Sequence, residues 1–302
     1  MMCHHRLLLP CVLLLAGAPL AAQTPTLEQR VARLEQQVQQ LRQLHELDGA
    51  QAPAPDTSLP PELRGNDNLR WGYPGGRGTV LVKEHFVILH DNARRLPTWV
   101  TYHLTAADLQ GTATRTDNFR PDPALPASQR SELVDYRNSG YDRGHMAPAA
   151  DFKRDEAAMS ETFLLSNMAP QRPNLNRRIW ERLESQVRSL VQTRCEIWIF
   201  TGALYLDSLR RPVEPTNFIG PDSVAVPMHF YKVILCQHPD GVRELFAFIM
   251  PNSLDPIPGQ PTDYLVTVDS VQRLSGLDFW AALPADEQTR LEALLNDSWP
   301  VP

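Results

Sequence analysis

Two apolar runs, VPMHFYKVIL at residues 226–235 and RELFAFIMPN at 243–252, are joined by the turn sequence QHPDG. Runs rich in β-branched and aromatic residues, separated by a short stretch of Pro, Asp and Gly, read as neighbouring antiparallel strands. CEIWIFTG at 195–202 has the same character. Lys83 to His90 and Trp99 to Leu104 read as a further hairpin across the polar turn DNARRLP. Between these groups, Ile179, Leu183, Val187 and Leu190 fall on one stripe of a helix from about Arg177 to Val191, with Arg178, Glu181, Arg182, Glu184 and Arg188 facing elsewhere. A last helical region spans Asp269 to Leu295. Antiparallel strands with helices packed on them predict an α+β fold rather than a doubly wound one.

The N-terminal part is organised differently. Arg6 precedes an apolar run, Leu7 to Leu15, that continues through small residues to Ala22, so residues 1–22 read as a secretory signal peptide, with an uncleaved anchor as the alternative. Either way the body is exported, to the periplasm or the medium, and cleavage leaves no membrane span. Leu27, Val31, Leu34, Val38 and Leu41 then recur at spacings of four and three, the seam of a short coiled coil over 26–48. A helix of that length is marginal alone, so self-association through this seam is expected. Pro53, Pro55, Pro60 and Pro61 make 49–62 a semi-extended linker, and a globular body occupies 63–302. Cys3 and Cys11 leave with the signal. Cys195 and Cys236 both adjoin strand-like runs, so an oxidising compartment predicts one disulfide between them.

Chemistry concentrates in residues 115–188. Asp142-Arg143-Gly144-His145 places an acid, a guanidinium and an imidazole together, with Gly144 expected to relieve the backbone at a bend. Imidazole takes a proton near neutral pH, and arginine offers a fork suited to phosphate oxygens. Downstream, Ser166-Asn167-Met168-Ala169-Pro170-Gln171 leads to Asn176 just before the helix. A carboxamide oxygen is a hard ligand that can hold a hydrated Mg²⁺. Each residue also has a plainer reading: an asparagine before a helix is often an N-cap, and Glu184 with Arg188 at i, i+4 is often a solvated pair.

Together, DYRNSGYDRGHMAPAADF and SNMAPQRPNLNRRIWERLE resemble the DNA/RNA non-specific endonuclease family, the ββα-metal nucleases. The similarity runs from about Leu81 to Leu295, through WVTYHLT, Arg115 with NFRPDPALP, VPMHFYKVIL, AFIMPN and SGLDFW. The resemblance implies a ββα-metal nuclease fold with a mostly antiparallel central sheet. It implies that His145 is the general base, that Asn176 is the sole protein ligand of a hydrated Mg²⁺ for which Mn²⁺ can substitute, and that Arg143 and Arg115 neutralise the scissile phosphate. It also implies that Asn167 and Glu184 orient the ligand and metal waters, that Arg188 is a phosphate-binding or structural arginine, and that Asp142 has a structural role.

The implied activity is hydrolysis of DNA and RNA to 5′-phosphate ends, reading the backbone rather than the bases. The alternative is a coiled-coil-tethered nucleic-acid binding or scaffolding module without catalysis. A zinc hydrolase is remote, since HExxH is absent, and His85 and His90 read as residues on opposite faces of one strand. The formal net charge of −6 opposes broad phosphate neutralisation, yet residues 112–194 carry 13 Lys+Arg against 11 Asp+Glu. Local binding of modest affinity, with a shallow salt dependence, is the expectation.

Overall fold

The structure is a computed structural model and describes residues 60–300. The expected signal peptide (1–22), the coiled coil (26–48) and all but the last three residues of the linker lie outside the described residues. The strands are, in chain order, β1 (Thr79–Val82), β2 (Val87–Asp91), β3 (Leu96–Leu104), β4 (Asp142–His145), β5 (Met168–Gln171), β6 (Glu196–Leu204), β7 (Phe218–Ile219), β8 (Val224–Ala225), β9 (His229–Gln237), β10 (Arg243–Pro251) and β11 (Leu265–Val266). Seven of them form one sheet in the order β1-β2-β3-β6-β9-β10-β11, every neighbouring pair antiparallel. The helices are α1 (Leu133–Tyr136), α2 (Glu156–Glu161), α3 (Glu181–Thr193), α4 (Val268–Ser275) and α5 (Ala285–Glu292). This is the expected α+β fold.

Each sheet face is covered because the long strands are apolar on both sides. On one face Val100, Tyr102, Ile199 and Ile234 share a core with Leu183, Val187 and Leu190 of α3 and with Ile179 just before it. On the other, Phe200 meets Trp99, Phe279 and Trp280 at ring separations of 5.5, 5.3 and 5.1 Å, and Tyr231 meets Phe279 at 5.7 Å. Aromatic pairs at such tilted geometries add to area burial.

Three local expectations need correction. The strand expected over Lys83 to His90 begins only at Val87, because the Lys83 N–H closes a turn onto the Phe86 carbonyl (2.9 Å) and the Lys83 ammonium reaches the buried Asp122 carboxylate (2.8 Å). His85 therefore sits on a turn, not opposite His90 on a strand. The last helical region is two helices: Gly276, at φ +70, caps α4 in the left-handed conformation, and Pro284 precedes α5. The central helix starts at Leu175, two residues early, with a π-helical turn, Leu175–Trp180, leading into α3.

Cys195 and Cys236 form the expected disulfide, with Cα atoms 5.7 Å apart. The bridge joins β9 to the residue preceding β6, across a sequence separation of 41. A loop of that size corresponds to about 2–4 kcal/mol of stability on the chain-entropy account. Thermal melts with and without reductant are therefore expected to differ, at roughly 2–4 °C per kcal/mol for a domain of this size. An unchanged midpoint after verified reduction contradicts this.

Candidate active site

β4 and β5 form a two-stranded ribbon with Asp142 opposite Gln171, Arg143 opposite Pro170, Gly144 opposite Ala169 and His145 opposite Met168. The chain then turns into the π-helical segment and α3, completing a strand-strand-helix unit. Gly144 lies in extended strand, not at the expected bend. It is required there because a Cβ would overlap the fully buried Gln171 side chain.

His145 and Arg143 leave β4 on the same face, two residues apart. The His145 ring lies 5.6 Å from Phe119 and 5.0 Å from Phe163, and those two phenyl rings meet edge-on at 5.0 Å. The Arg143 guanidinium stacks 3.9 Å over Phe119, and that of Arg115 lies 5.0 Å over Phe163. Arg115 is exposed and also donates from Nε to Asp117 (2.7 Å). One aromatic bed thus gathers His145, Arg143 and Arg115. It is stitched in place by backbone bonds from Arg120 to Phe163 and from Leu165 to Arg120, and by Ser166 Oγ donating to Asp122 (2.6 Å). Within this bed, burial and the guanidiniums of Arg115 and Arg143 push the His145 imidazole down to about 3. His145 Nε2 is enclosed without a hydrogen-bond partner, so Nδ1 is the nitrogen open to a water.

Asn176 is not an N-cap. Its Nδ2 donates to Asp142 Oδ2 (2.9 Å), and the same carboxylate accepts from Arg177 Nε (2.8 Å). Asp142 thereby fixes the carboxamide and leaves its Oδ1 as the free donor atom, a structural role in keeping with the first motif position. The Asn167 side chain is committed to backbone. It is fully buried, and its polar atoms are spent on backbone: Oδ1 accepts from the Ala147 N–H (2.9 Å), and Nδ2 donates to the Ala147 and Thr162 carbonyls (2.9 and 2.8 Å). It holds the chain leaving His145.

Glu184 and Arg188 also differ from the solvated pair that their spacing suggests. Arg188 donates to the buried Asp151 (3.1 Å), which also accepts from Tyr102 Oη (2.8 Å). Arg188 is thus tied through Nη1 to a buried acid, which supports the structural side of its expected role. Lys232, fully buried on β9, donates to Thr201 Oγ1 (2.7 Å) and lies 5.1 Å over the Trp180 ring. Glu184 is half-buried beside this group and makes no hydrogen bond or ion pair of its own among the described residues. Burial pushes its carboxyl above the usual range, Asp151 adds to that, and the Lys232 charge opposes it. Lys232, Asp151, Tyr102, Phe119 and Phe163 were not singled out from sequence. A lysine inside the otherwise apolar FYKVIL was the one available signal.

The donor set fits a hard, hydrated divalent cation: a fixed neutral carboxamide oxygen at Asn176 and an unpaired carboxylate at Glu184. Two other ligand-like groupings among the described residues, Cys236 with His238 and Glu244, and Glu84 with His85 and Asp155, include neither His145 nor Asn176, and the Cys236 sulfur is already in the disulfide. Among the described residues no helix is long and apolar enough to cross a membrane.

Comparison with known proteins shows the family of the chain. The family model for DNA/RNA non-specific endonuclease matches residues 64–286. The zebrafish (Danio rerio) mitochondrial nuclease EXOG is 38% identical over 228 residues, 74% of this chain and 66% of its own length. Nuclease C1 of Cunninghamella echinulata var. echinulata is 38% identical over 71% of this chain and 88% of its own. Human mitochondrial endonuclease G is 37% identical over 70% and 72%. Among solved structures, an EndoG/EndoGI complex superposes with a TM-score of 0.68 at 33% identity, covering 76% of this chain and 95% of that one. The chain belongs to the DNA/RNA non-specific endonuclease family of nucleic-acid-cleaving hydrolases.

Proposed function

We propose that this protein is an exported, Mg²⁺-dependent endonuclease that hydrolyses phosphodiester bonds of both DNA and RNA and leaves 5′-phosphate ends. The observation that carries this reading is the shared aromatic bed that sets a neutral His145 between two arginines, with Asn176 fixed through the same four-residue strand. Arg143 and Arg115 hold the scissile phosphate. His145 Nδ1 takes a proton from the attacking water while the ring keeps its own proton on Nε2. The new P–O bond forms as the P–O3′ bond breaks, and solvent returns a proton to the leaving 3′ oxygen. Asn176 would hold the divalent ion, with Glu184 orienting its waters. When bound, that ion supplies charge neutralisation at the phosphate and leaving oxygens. Digestion of plasmid and RNA with and without EDTA tests the reading. Retarded but uncut DNA would favour a non-catalytic binding module instead.

His145 also sets an expected pH dependence. The free enzyme keeps the imidazole neutral far below the ordinary histidine value, so the acid limb of kcat/KM lies well under pH 6.5. A bound phosphodiester offsets the charges of Arg115 and Arg143, which raises the histidine in the complex and places the acid limb of kcat at higher pH. Arg143→Gln removes one depressing charge and is expected to move the kcat/KM limb upward. Coincident limbs, unmoved by that substitution, contradict the assignment.

Export is supported by the single arginine ahead of the apolar N-terminal run and by the disulfide. Mitochondrial transit peptides are instead amphipathic and rich in arginine. Amino-terminal sequencing of the protein recovered from the periplasm or medium tests this. Self-association through 26–48 is tested by the solution mass of the mature chain with and without that segment.

A further inference from the structure

We propose that Arg172, stacked on Tyr141, is a phosphate-binding position for the nucleotide next to the scissile bond; this rests on the nuclease reading above. The Arg172 guanidinium lies 3.8 Å over the Tyr141 ring, and the Tyr141 hydroxyl accepts a hydrogen bond from Asn217 Nδ2 (2.9 Å). The arginine backbone is pinned as well. Its N–H donates to Asn252 Oδ1 (2.7 Å), and its carbonyl accepts from the Leu175 and Asn176 N–H groups (both 2.9 Å).

The charge pattern distinguishes this arginine from its neighbours. Arg115, Arg177 and Arg188 are each held by a carboxylate, Asp117, Asp142 and Asp151 respectively. No acid pairs with Arg172 among the described residues, and Asp142, the acid on this ribbon, is committed to Asn176 and Arg177. Arg143 has the same arrangement, a guanidinium stacked on a ring with no carboxylate.

Placement supports the role. Continuing the register beyond Asp142 and Gln171 sets Tyr141 opposite Arg172, on the ribbon face that carries Arg143 and His145. Tyr141 is two residues from Arg143, roughly 7 Å along the strand. A substrate strand held by Arg143 at the scissile phosphate therefore extends its next phosphate toward Arg172. A planar guanidinium stacked on a ring keeps its edge donors free and loses little freedom on binding an anion.

The test measures binding of a fluorescent duplex oligonucleotide in EDTA across a salt series. Arg172→Leu is expected to weaken binding several-fold at low salt and to make the log–log salt slope shallower by about 0.9, the value for one phosphate contact. Arg172→Lys should restore the slope and part of the affinity, and Tyr141→Leu should fall between. With Mg²⁺ present, the loss should appear in KM for the duplex more than in kcat, and it should be smaller for a dinucleotide, which has no flanking phosphate. An unchanged slope in a folded variant, or an equal loss on the dinucleotide, overturns the proposal. The binding arm needs no turnover, so a wild-type chain that binds without cutting would fail the nuclease reading while leaving this one readable.

Discussion

Replacing His145 by alanine is expected to lower the rate of phosphodiester cleavage by about 10²–10⁴-fold, the range contributed by a positioned acid–base group. The loss should fall on kcat and kcat/KM together, because the proton is taken only as the water attacks. Folding should change little. The ring fills the space against Phe119 and Phe163, so its removal costs packing, but it also removes a buried Nε2 that has no partner. His145→Gln keeps most of the volume and cannot serve as the base, so it should lose as much activity as alanine. A glutamine variant near wild-type rate would show that the site needs the bulk of residue 145 and not its basicity. Single-turnover cleavage of plasmid, beside thermal melts of the same preparations, separates these outcomes.

The parts of the molecule legible in the sequence are those set by short-range pattern. β6, β9 and β10 are continuous apolar runs, and the α3 stripe repeats at helical spacing, so each carries its own signal. The ribbon residues Asp142 to His145 and the asparagine before the helix stand in sequence as they do in space. What was missed depends on partners brought from far along the chain. Glu184 and Arg188 look like a solvated pair until Asp151 and Lys232 arrive from a separate turn and from the central sheet, where the charges lose water and must answer one another. Asn167 carries a functional-looking motif position, yet its three bonds go to backbone, and backbone acceptors leave no mark on composition. Gly144 shows the same limit: the need for glycine comes from Gln171 across the ribbon, not from a bend in its own backbone.

Asn176→Ala is expected to reduce activity by more than about 100-fold, beyond the range for residues that only support a ligand. Added Mg²⁺ should recover part of the loss if the defect lies in metal affinity. The thermal midpoint should fall only a few degrees, since one hydrogen bond worth about 1 kcal/mol disappears while Asp142 keeps Arg177. A large fall in midpoint with a modest loss of activity would restore the helix-start reading of this asparagine. Asn176→Asp is the sharper experiment, because a second carboxylate beside Asp142 supplies a better-charged ligand in a place where the charge is opposed. Like charges at that separation favour protonation of one acid, which removes the ligand or the support. The single variant should therefore resemble alanine despite its extra oxygen. Adding Asp142→Asn, which alone should lower activity, exchanges amide and acid across the same contact, so the double variant should exceed Asn176→Asp alone, a coupling that additive effects cannot produce. If the second substitution only lowers activity further, Asp142 acts through Arg177, and the carboxamide of Asn176 is positioned by the π-helical turn alone.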